Sequence, residues 1–317
     1  MGDVSNDGEM ISHIEFRKKL YELQKSKPVY LITATHDWCC DENPRRFEGD
    51  AVYNDVPVMK SYDLPKFYAD FGPKQAISTF TAKIGTVCFV IALSEKVRVL
   101  CLNDDKNENG HAGFDADCRK WITEQIEDAK KCGCTLIGIE HHLLVPHISP
   151  LLTGGSTCVE NREEVASFFA DAGLKYMFVG HSHIQHTDSF TSRAGNKITE
   201  VNVGALSGYP APIVDVSVLE NGRLEYNVRH LKSFLVNGHE TDAGDYLARH
   251  ACDLIFRITE CRDKKQFAER TEALGINPKK LLPFWPVIKP LLKKIDTALV
   301  WDAYKFLKAM HLQGNVT

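Results

Sequence analysis

The fold prediction begins from residues 176–183, Tyr176-Met177-Phe178-Val179-Gly180-His181-Ser182-His183. An apolar run stops at a glycine and is followed at once by two histidines that are one residue apart. Buried strands that end in this way bring imidazoles to the carboxyl edge of a sheet, where open α/β folds bind their ligands. In an extended segment His181 and His183 point to the same side, because side chains alternate along a strand. The stretch therefore predicts a buried strand that ends in a metal or ligand site.

Two further apolar runs also end on histidines. Residues 28–33 lead to His36-Asp37, and residues 135–139 lead to His141-His142. Both runs are short and rich in β-branched residues, so we expect both to be strands. Three strand-end histidine sites in one chain predict that the side chains converge at one edge of a sheet. Imidazoles together with a carboxylate form a ligand set for zinc, manganese or iron.

Periodicity predicts the other elements of the chain. Apolar residues at helical spacing predict helices, and runs with two-residue alternation predict antiparallel strands. The dipeptide Asn221-Gly222 predicts a hairpin with a type I′ turn. We expect helices at 10–25, 116–131, 161–172 and from about 240 onward, and strands at 86–94, 97–103, 197–205, 213–219 and 224–228. Residues 39–83, without sustained periodicity and with several prolines, are expected to form a long excursion over the site.

Composition and charge exclude several classes of protein. The 317 residues are 44% hydrophobic, which is enough to bury a large core, and the net charge of −4 gives no field that would attract nucleic acid. No run approaches the roughly 20 apolar residues of a membrane span, and the beginning of the chain does not resemble a signal peptide. We therefore expect a cytoplasmic protein whose ten cysteines are reduced thiols.

The order of these motifs resembles the calcineurin-like metallophosphoesterases. The chain contains four motifs in the order in which that family has them: Gly2-Asp3, the strand ending at His36-Asp37, His141-His142, and Gly180-His181-Ser182-His183. The resemblance implies an α/β sandwich with αββα layers, in which two mixed sheets lie between helices. It covers residues 1–231 as a phosphoesterase domain, and residues 232–317 are expected to form a helical C-terminal region.

The resemblance also implies a role for each matching residue. Asp3 would bridge two divalent metal ions (Mn, Fe or Zn), with His141 and His181 on one ion and His183 on the other. His36 would be the catalytic histidine, with Asp37 orienting its ring. The implied reaction is hydrolysis of a phosphomonoester or phosphodiester through attack by a metal-activated hydroxide. The implied substrate is a phosphorylated small molecule or nucleotide, and His142 and His186 are expected to contact it.

Two departures from the family pattern keep an alternative open. The Asp-x-His motif that opens the family is expected upstream of Gly2, so the domain is expected to be truncated at its N-terminus, and Thr35 stands where the family has an asparagine ligand. The alternative is a catalytically impaired protein that serves as a binding or scaffold protein. Among the other histidines, His147 is expected to be a loop residue and His13 a surface or helix residue.

Overall fold

The computed structural model describes residues 1–48, 51–147, 157–261, 263–273, 277–292 and 302. The chain divides into two compact units. The first comprises Met1–Val203 and Val216–Tyr226, and the second comprises Gly204–Asp215 and Asn227–Thr317. The division after residue 231 that the sequence suggests stays a prediction.

The first unit is a mixed α/β structure built on one large sheet. Strands β1 (Arg46–Glu48) and β2 (Ala51–Tyr53) pair with each other as a separate short ribbon. The large sheet contains β3 (Ser78–Thr81), β4 (Val87–Ala92), β5 (Val97–Cys101), β6 (Thr135–Ile139), β7 (Tyr176–Val179), β8 (His186–Thr191) and β9 (Lys197–Asn202). Its strand order is β3-β4-β5-β6-β7-β9-β8.

Strand direction decides where the site lies. The four neighbours β5, β6, β7 and β9 run parallel, while β3, β4 and β8 pair antiparallel to their neighbours. The carboxyl ends of the four parallel strands therefore meet at one edge of the sheet, and the segments that leave β5, β6 and β7 start next to one another there.

Helices flank the sheet and supply its core. The first unit contains α1 (Met10–Gln24), α2 (Leu64–Phe67), α3 (Ala116–Lys131) and α4 (Arg162–Ala172). Asp115 caps α3 by accepting a hydrogen bond from the backbone of Cys118 at 2.8 Å. The buried face of α3, with Ile122, packs with Phe169 of α4 and Met177 of β7 in the largest apolar cluster. On the opposite face of the sheet, Phe89 and its neighbours form a smaller cluster.

Several elements agree with the sequence and several do not. Helix α3 and strands β6 and β7 lie where the sequence predicts them, and α1 and α4 agree to within a residue. The strand predicted at residues 28–33 is wrong: these residues are in no strand, and the Leu31 amide donates to the carbonyl of Phe71 instead. The prediction rested on the β-strand propensity of these residues, but a strand forms only where a neighbouring strand pairs with it. The described residues contain one large sheet, so the two-sheet sandwich is not confirmed.

Strands β10 (Pro212–Val218) and β11 (Leu224–His230) form the hairpin that Asn221-Gly222 predicts. The type I′ turn is wrong, because only Gly222 has a positive φ, of 75°. Leu219 and Arg223 pair across a three-residue loop, with 2.9 Å between the Leu219 amide nitrogen and the Arg223 carbonyl oxygen. A glycine in the left-handed region at the end of such a loop is typical of three-residue hairpins.

The second unit contains a further hairpin and a series of helices. Strands β12 (Ser233–Val236) and β13 (His239–Asp242) pair antiparallel, and they precede α5 (Ala243–Thr259), α6 (Lys264–Ala273), α7 (Pro278–Leu281) and α8 (Trp285–Leu292). These helices agree with the helical composition of the C-terminal part of the sequence. None of the helices in the described part of the chain has the length and apolar content that a bilayer crossing needs.

Candidate metal centre

Polar side chains follow each parallel strand at the carboxyl edge of the sheet. Asp104 and Asp105 lie just beyond β5, Glu140, His141 and His142 just beyond β6, and His181 and His183 just beyond β7. Most of these side chains are buried, although titratable groups at strand ends are normally solvated. Such a concentration of buried polar groups indicates a functional site.

Three ligand atoms approach one another around His141. Its Nε2 lies 2.9 Å from Oδ2 of Asp3 and 3.1 Å from Nδ1 of His181. The other ring nitrogen of His141, Nδ1, donates to the carbonyl of Met1 at 2.8 Å. His142 belongs to the same group, since ligand atoms of His141, His142 and His181 all lie within 4.8 Å of one another. This set is named the metal-site cluster below: Asp3, His141, His142 and His181.

The backbone reaches this arrangement through left-handed conformations. His181 has φ 56° and His183 has φ 59°, and Asp3 has φ 53°. The extended geometry that the sequence suggests for His181 and His183 is therefore wrong. Non-glycine residues with positive φ are uncommon, and they cluster at functional sites. His183 does not join the histidine group among the described residues; burial lowers its pKa, and the charge of Asp3 opposes that shift.

Electrostatics divides the cluster into a charged pair and a neutral ligand. Burial opposes ionisation of Asp3, but the hydrogen bond and charge of His141 outweigh it and hold the pKa of Asp3 well below its usual value. Burial also favours a neutral His141, yet the Asp3 carboxylate raises the pKa of His141 to about 9. Burial and the neighbouring His142 and His141 lower the pKa of His181 to about 3. At neutral pH and without metal, a proton therefore lies between Asp3 and His141, while His181 is neutral.

Asp104 is a site residue that the sequence analysis missed. Its Oδ2 accepts a hydrogen bond from the His142 backbone at 2.7 Å, and its Oδ1 lies 3.2 Å from His142 Nδ1. Both Oδ1 and Nδ1 are buried, and neither has a hydrogen-bond partner among the described residues. Burial opposes ionisation of Asp104, but His142 and His141 lower its pKa. The available signal was its position directly after the predicted strand 97–103.

His36 and Asp37 lie in a short 3₁₀ turn, Thr35–Trp38, beside Asp3. The His36 amide donates to Oδ1 of Asp3 at 3.1 Å, and its ring Nδ1 donates to the carbonyl of Asn6. Nε2 of His36 is thus the ring nitrogen that faces away from this anchor.

Asp37 is buried, and its carboxylate accepts hydrogen bonds from backbone amides instead of contacting the His36 ring. Its carboxylate accepts hydrogen bonds from the amides of Val4, Ser5 and Ala34 at 2.7, 3.0 and 2.9 Å. Burial and the nearby Asp3 raise the pKa of Asp37, while these amides oppose that rise. The contact expected between Asp37 and the His36 ring is not among the described hydrogen bonds.

The contacts of three other histidines are not evident from the sequence. His147 lies in a loop, as expected, and its fully buried side chain contacts Glu200 and His186. His186 lies at the start of β8 and pairs with His147, and its contact with substrate stays a prediction. His13 lies in α1, in agreement with its assignment as a surface or helix residue, but it is buried there, and its Nδ1 lies 2.7 Å from the hydroxyl oxygen of Tyr68.

A cleft of about 870 Å³ opens beside the cluster. His142 and His181 are among its lining residues, so a molecule in the cleft can contact the cluster. Other lining residues combine both charge signs: His111, Glu160, Asn161, Arg162, Glu163 and Glu164. A cleft of this size accommodates a small phosphorylated molecule.

The residues present fit a divalent metal ion. Three imidazoles and one carboxylate are the donors that zinc, manganese and iron use in proteins. The Asp104 carboxylate, whose Oδ1 lies 3.2 Å from His142 Nδ1, adds a buried negative charge beside these donors, which also suits a cation. The metal identity is not defined by this donor set.

Comparisons with known proteins add a distant structural similarity. No protein family model matches the sequence, and no curated protein matches it. Among solved structures, the chain is similar to a dimetal phosphatase from Danio rerio, with a TM-score of 0.45 and 11% sequence identity. That similarity covers 69% of this chain and 75% of the other. A similarity of this extent leaves the function to be inferred from the site itself.

Proposed function

We propose that this chain is a metal-dependent phosphoesterase that hydrolyses a phosphomonoester or phosphodiester of a small molecule or nucleotide. The observation that carries the proposal is the approach of Asp3, His141 and His181 to one point, with His142 beside them, next to a cleft that His142 and His181 line. The order of motifs in the sequence, which resembles the calcineurin-like phosphoesterases, supports the same reaction.

The residues divide the chemical work as follows. Asp3, His141 and His181 would hold one divalent ion, and His183 with Asp3 would hold a second. Such ions, when bound, would neutralise phosphate oxygens and activate water for attack. His36 moves a proton at Nε2, because its Nδ1 is fixed on the carbonyl of Asn6. That nitrogen protonates the leaving alkoxide, a role for which histidine is suited near neutral pH.

The test is hydrolysis of bis(4-nitrophenyl) phosphate and 4-nitrophenyl phosphate by the purified chain with added Mn²⁺. The matched variants are His181→Gln, His36→Gln and, as a control at an exposed position in the second unit, His239→Gln. We expect turnover that needs metal, falls by about 10²-fold or more in His181→Gln and His36→Gln, and is unchanged in His239→Gln.

A folded chain that binds metal without turnover contradicts the proposal. One tightly bound ion per chain, lost in His181→Gln, would then support the alternative of a binding or scaffold protein. The observation that favours this alternative is the histidine group itself, since among the described residues it holds three histidines around one point. Metal analysis of the same protein samples distinguishes the two outcomes.

A further inference from the structure

A second group of polar side chains lies beyond the metal-site cluster. Glu200 of β9, His147 and His186 of β8 form a continuous row. Glu200 Oε1 is 2.9 Å from His147 Nε2, and His147 Nδ1 is 2.8 Å from His186 Nδ1. This row is named the Glu200 relay below.

With both rings neutral, hydrogen-bond accounting gives one arrangement of the protons. The amides of Leu144 and Val145 donate to Glu200 at 2.8 and 3.0 Å, so its carboxylate is an acceptor that also takes the Nε2 hydrogen of His147. In neutral His147 the other nitrogen, Nδ1, then accepts a hydrogen bond. His186 Nδ1 must supply that hydrogen, which leaves a lone pair on His186 Nε2.

Burial gives the relay a direction. The side chains of Glu200 and His147 are both 0% exposed, whereas His186 is half-buried. A carboxylate in such a position is costly unless its partners are in place, and here two amides and one imidazole are. The row therefore runs from a fixed interior anchor to an outer imidazole nitrogen.

The outer end of the relay lies at the same sheet edge as the metal-site cluster. His186 pairs with Asn202 in the β8–β9 ladder. The Asn202 side chain donates to the hydroxyl of Ser182, which stands between His181 and His183. The segment after β6 and the segment after β7 thus each supply histidines to the metal-site cluster and to the Glu200 relay.

A metal ion is the weaker interpretation of this row. The described residues offer two imidazole nitrogens there, and a catalytic ion usually has three protein ligands. Within the described part of the chain, the hydrogen bonds satisfy every ring nitrogen of this row except His186 Nε2, and a metal between the two Nδ1 atoms would lack further ligands there.

We infer that Glu200, His147 and His186 form a proton relay in which His186 Nε2 accepts the proton that the attacking water loses; this catalytic role rests on the proposed phosphoesterase function. The water oxygen forms a bond to phosphorus, and its proton passes to His186 Nε2. The His186 Nδ1 hydrogen moves to His147, whose imidazolium is stabilised by Glu200. The phosphorus–oxygen bond to the alcohol breaks, and the alkoxide takes a proton from His36. His186 is then the catalytic residue, while His147 and Glu200 are positioning residues.

The first test needs no turnover. Nitrogen-15 NMR of histidine-labelled full-length chain reports which ring nitrogens carry hydrogen, and spectra of His147→Gln and His186→Gln assign the two rings. We expect hydrogen on Nε2 of His147 and on Nδ1 of His186. Glu200→Gln should shift the His186 nitrogens, while Asp188→Asn, opposite Glu200 on the neighbouring strand, should leave them unchanged. A His186 ring with hydrogen on Nε2, or no response to Glu200→Gln, overturns the relay.

The second test measures the catalytic role. Provided that the chain hydrolyses the aryl phosphodiester, His186→Ala should lower kcat about 10²-fold with KM within about 2-fold, and added imidazole should restore part of the rate. Glu200→Gln should lower kcat in the same direction by a smaller factor, measured at a temperature where circular dichroism shows the variant to be folded. An unchanged kcat in His186→Ala overturns the catalytic role. Absence of turnover in the unmodified chain removes both the phosphoesterase function and this role, while the NMR result decides the relay by itself.

Discussion

Replacing Asp3 with asparagine is expected to destabilise the metal-free protein by about 3 kcal/mol near pH 6 and by much less near pH 10. The magnitude follows from His141, whose pKa rises from 6.5 to about 9 against Asp3 in a contact where both side chains are largely buried. Each pKa unit corresponds to about 1.4 kcal/mol, and most of this rise comes from the Asp3 carboxylate. Asparagine keeps the shape and the acceptor for the His36 amide, so the change isolates the charge.

The sign of the pH dependence follows from the raised pKa of His141. A group whose pKa is raised by folding contributes its full stability below its unfolded pKa and loses that contribution as the pH rises through the folded pKa. The contribution of the His141 charge is therefore complete below about pH 6.5 and disappears through about pH 9. The cost of Asp3→Asn should decline over the same window.

Urea unfolding of chelator-treated protein, followed by tryptophan fluorescence at several pH values in this window, measures the cost. Glu108→Gln removes an exposed carboxylate in the same unit and should change stability little at any pH. A cost for Asp3→Asn that stays constant from about pH 6 to about pH 10 would refute the reasoning, because it would show that His141 is not held protonated by Asp3.

Two further substitutions test contacts around the site. Gly138→Ala places a Cβ 2.6 Å from the Met177 sulfur and should lower the free energy of unfolding in urea by about 1–3 kcal/mol. The double variant with Met177→Ala should be destabilised by less than the sum of the two single variants, and strict additivity would contradict the clash. Trp38→Phe removes the indole donor to Asp105 at 2.8 Å, and burial with the charge of Asp104 raises the pKa of Asp105 to about 7. The Trp38→Phe variant should therefore be destabilised more near pH 8, where Asp105 is ionised, than near pH 5. Equal losses of unfolding free energy at the two pH values would show that the hydrogen bond to the carboxylate is unimportant.

The sequence predicted the elements whose signal is local. Helix α3 has a clear apolar stripe and a capping aspartate, and β6 and β7 are β-branched or apolar runs bounded by turn residues. Residues 28–33 have a similar β-branched and apolar composition, but they form no strand. A strand is defined by its partner as well as by its own residues, and nothing local in those six residues reveals whether a partner exists.

The sequence predicted which histidines come together better than it predicted their geometry. His141 and His181 were identified from their positions after strands, and they do approach each other. The alternation rule failed for His181 and His183 because the chain leaves the strand at Gly180 and enters left-handed conformations. Glu200 gave no signal, since a single glutamate within a strand at the edge of the apolar core looks like a solvent-facing residue until its partners are known.

Three buried carboxylates explain how the separate segments are held around the site. Each accepts backbone amides from a segment that bears functional side chains, since an unpaired buried amide would be costly. Asp37 accepts from the amides next to Asp3, Asp104 accepts from the amide of His142, and Glu200 accepts from two amides of the segment that contains His147.

This arrangement changes how an acidic residue near the site is to be interpreted. Asp37 follows His36 in the sequence and was assigned to its ring, but its oxygens are used by backbone amides. Loss of activity on replacing Asp37 would therefore not identify it as a group that touches substrate. Because the loop that it holds carries Asp3 at a positive φ, the first consequence of its removal would be a displaced Asp3, the proposed metal ligand. Metal affinity, measured beside turnover, separates these two explanations for every carboxylate at this edge of the sheet.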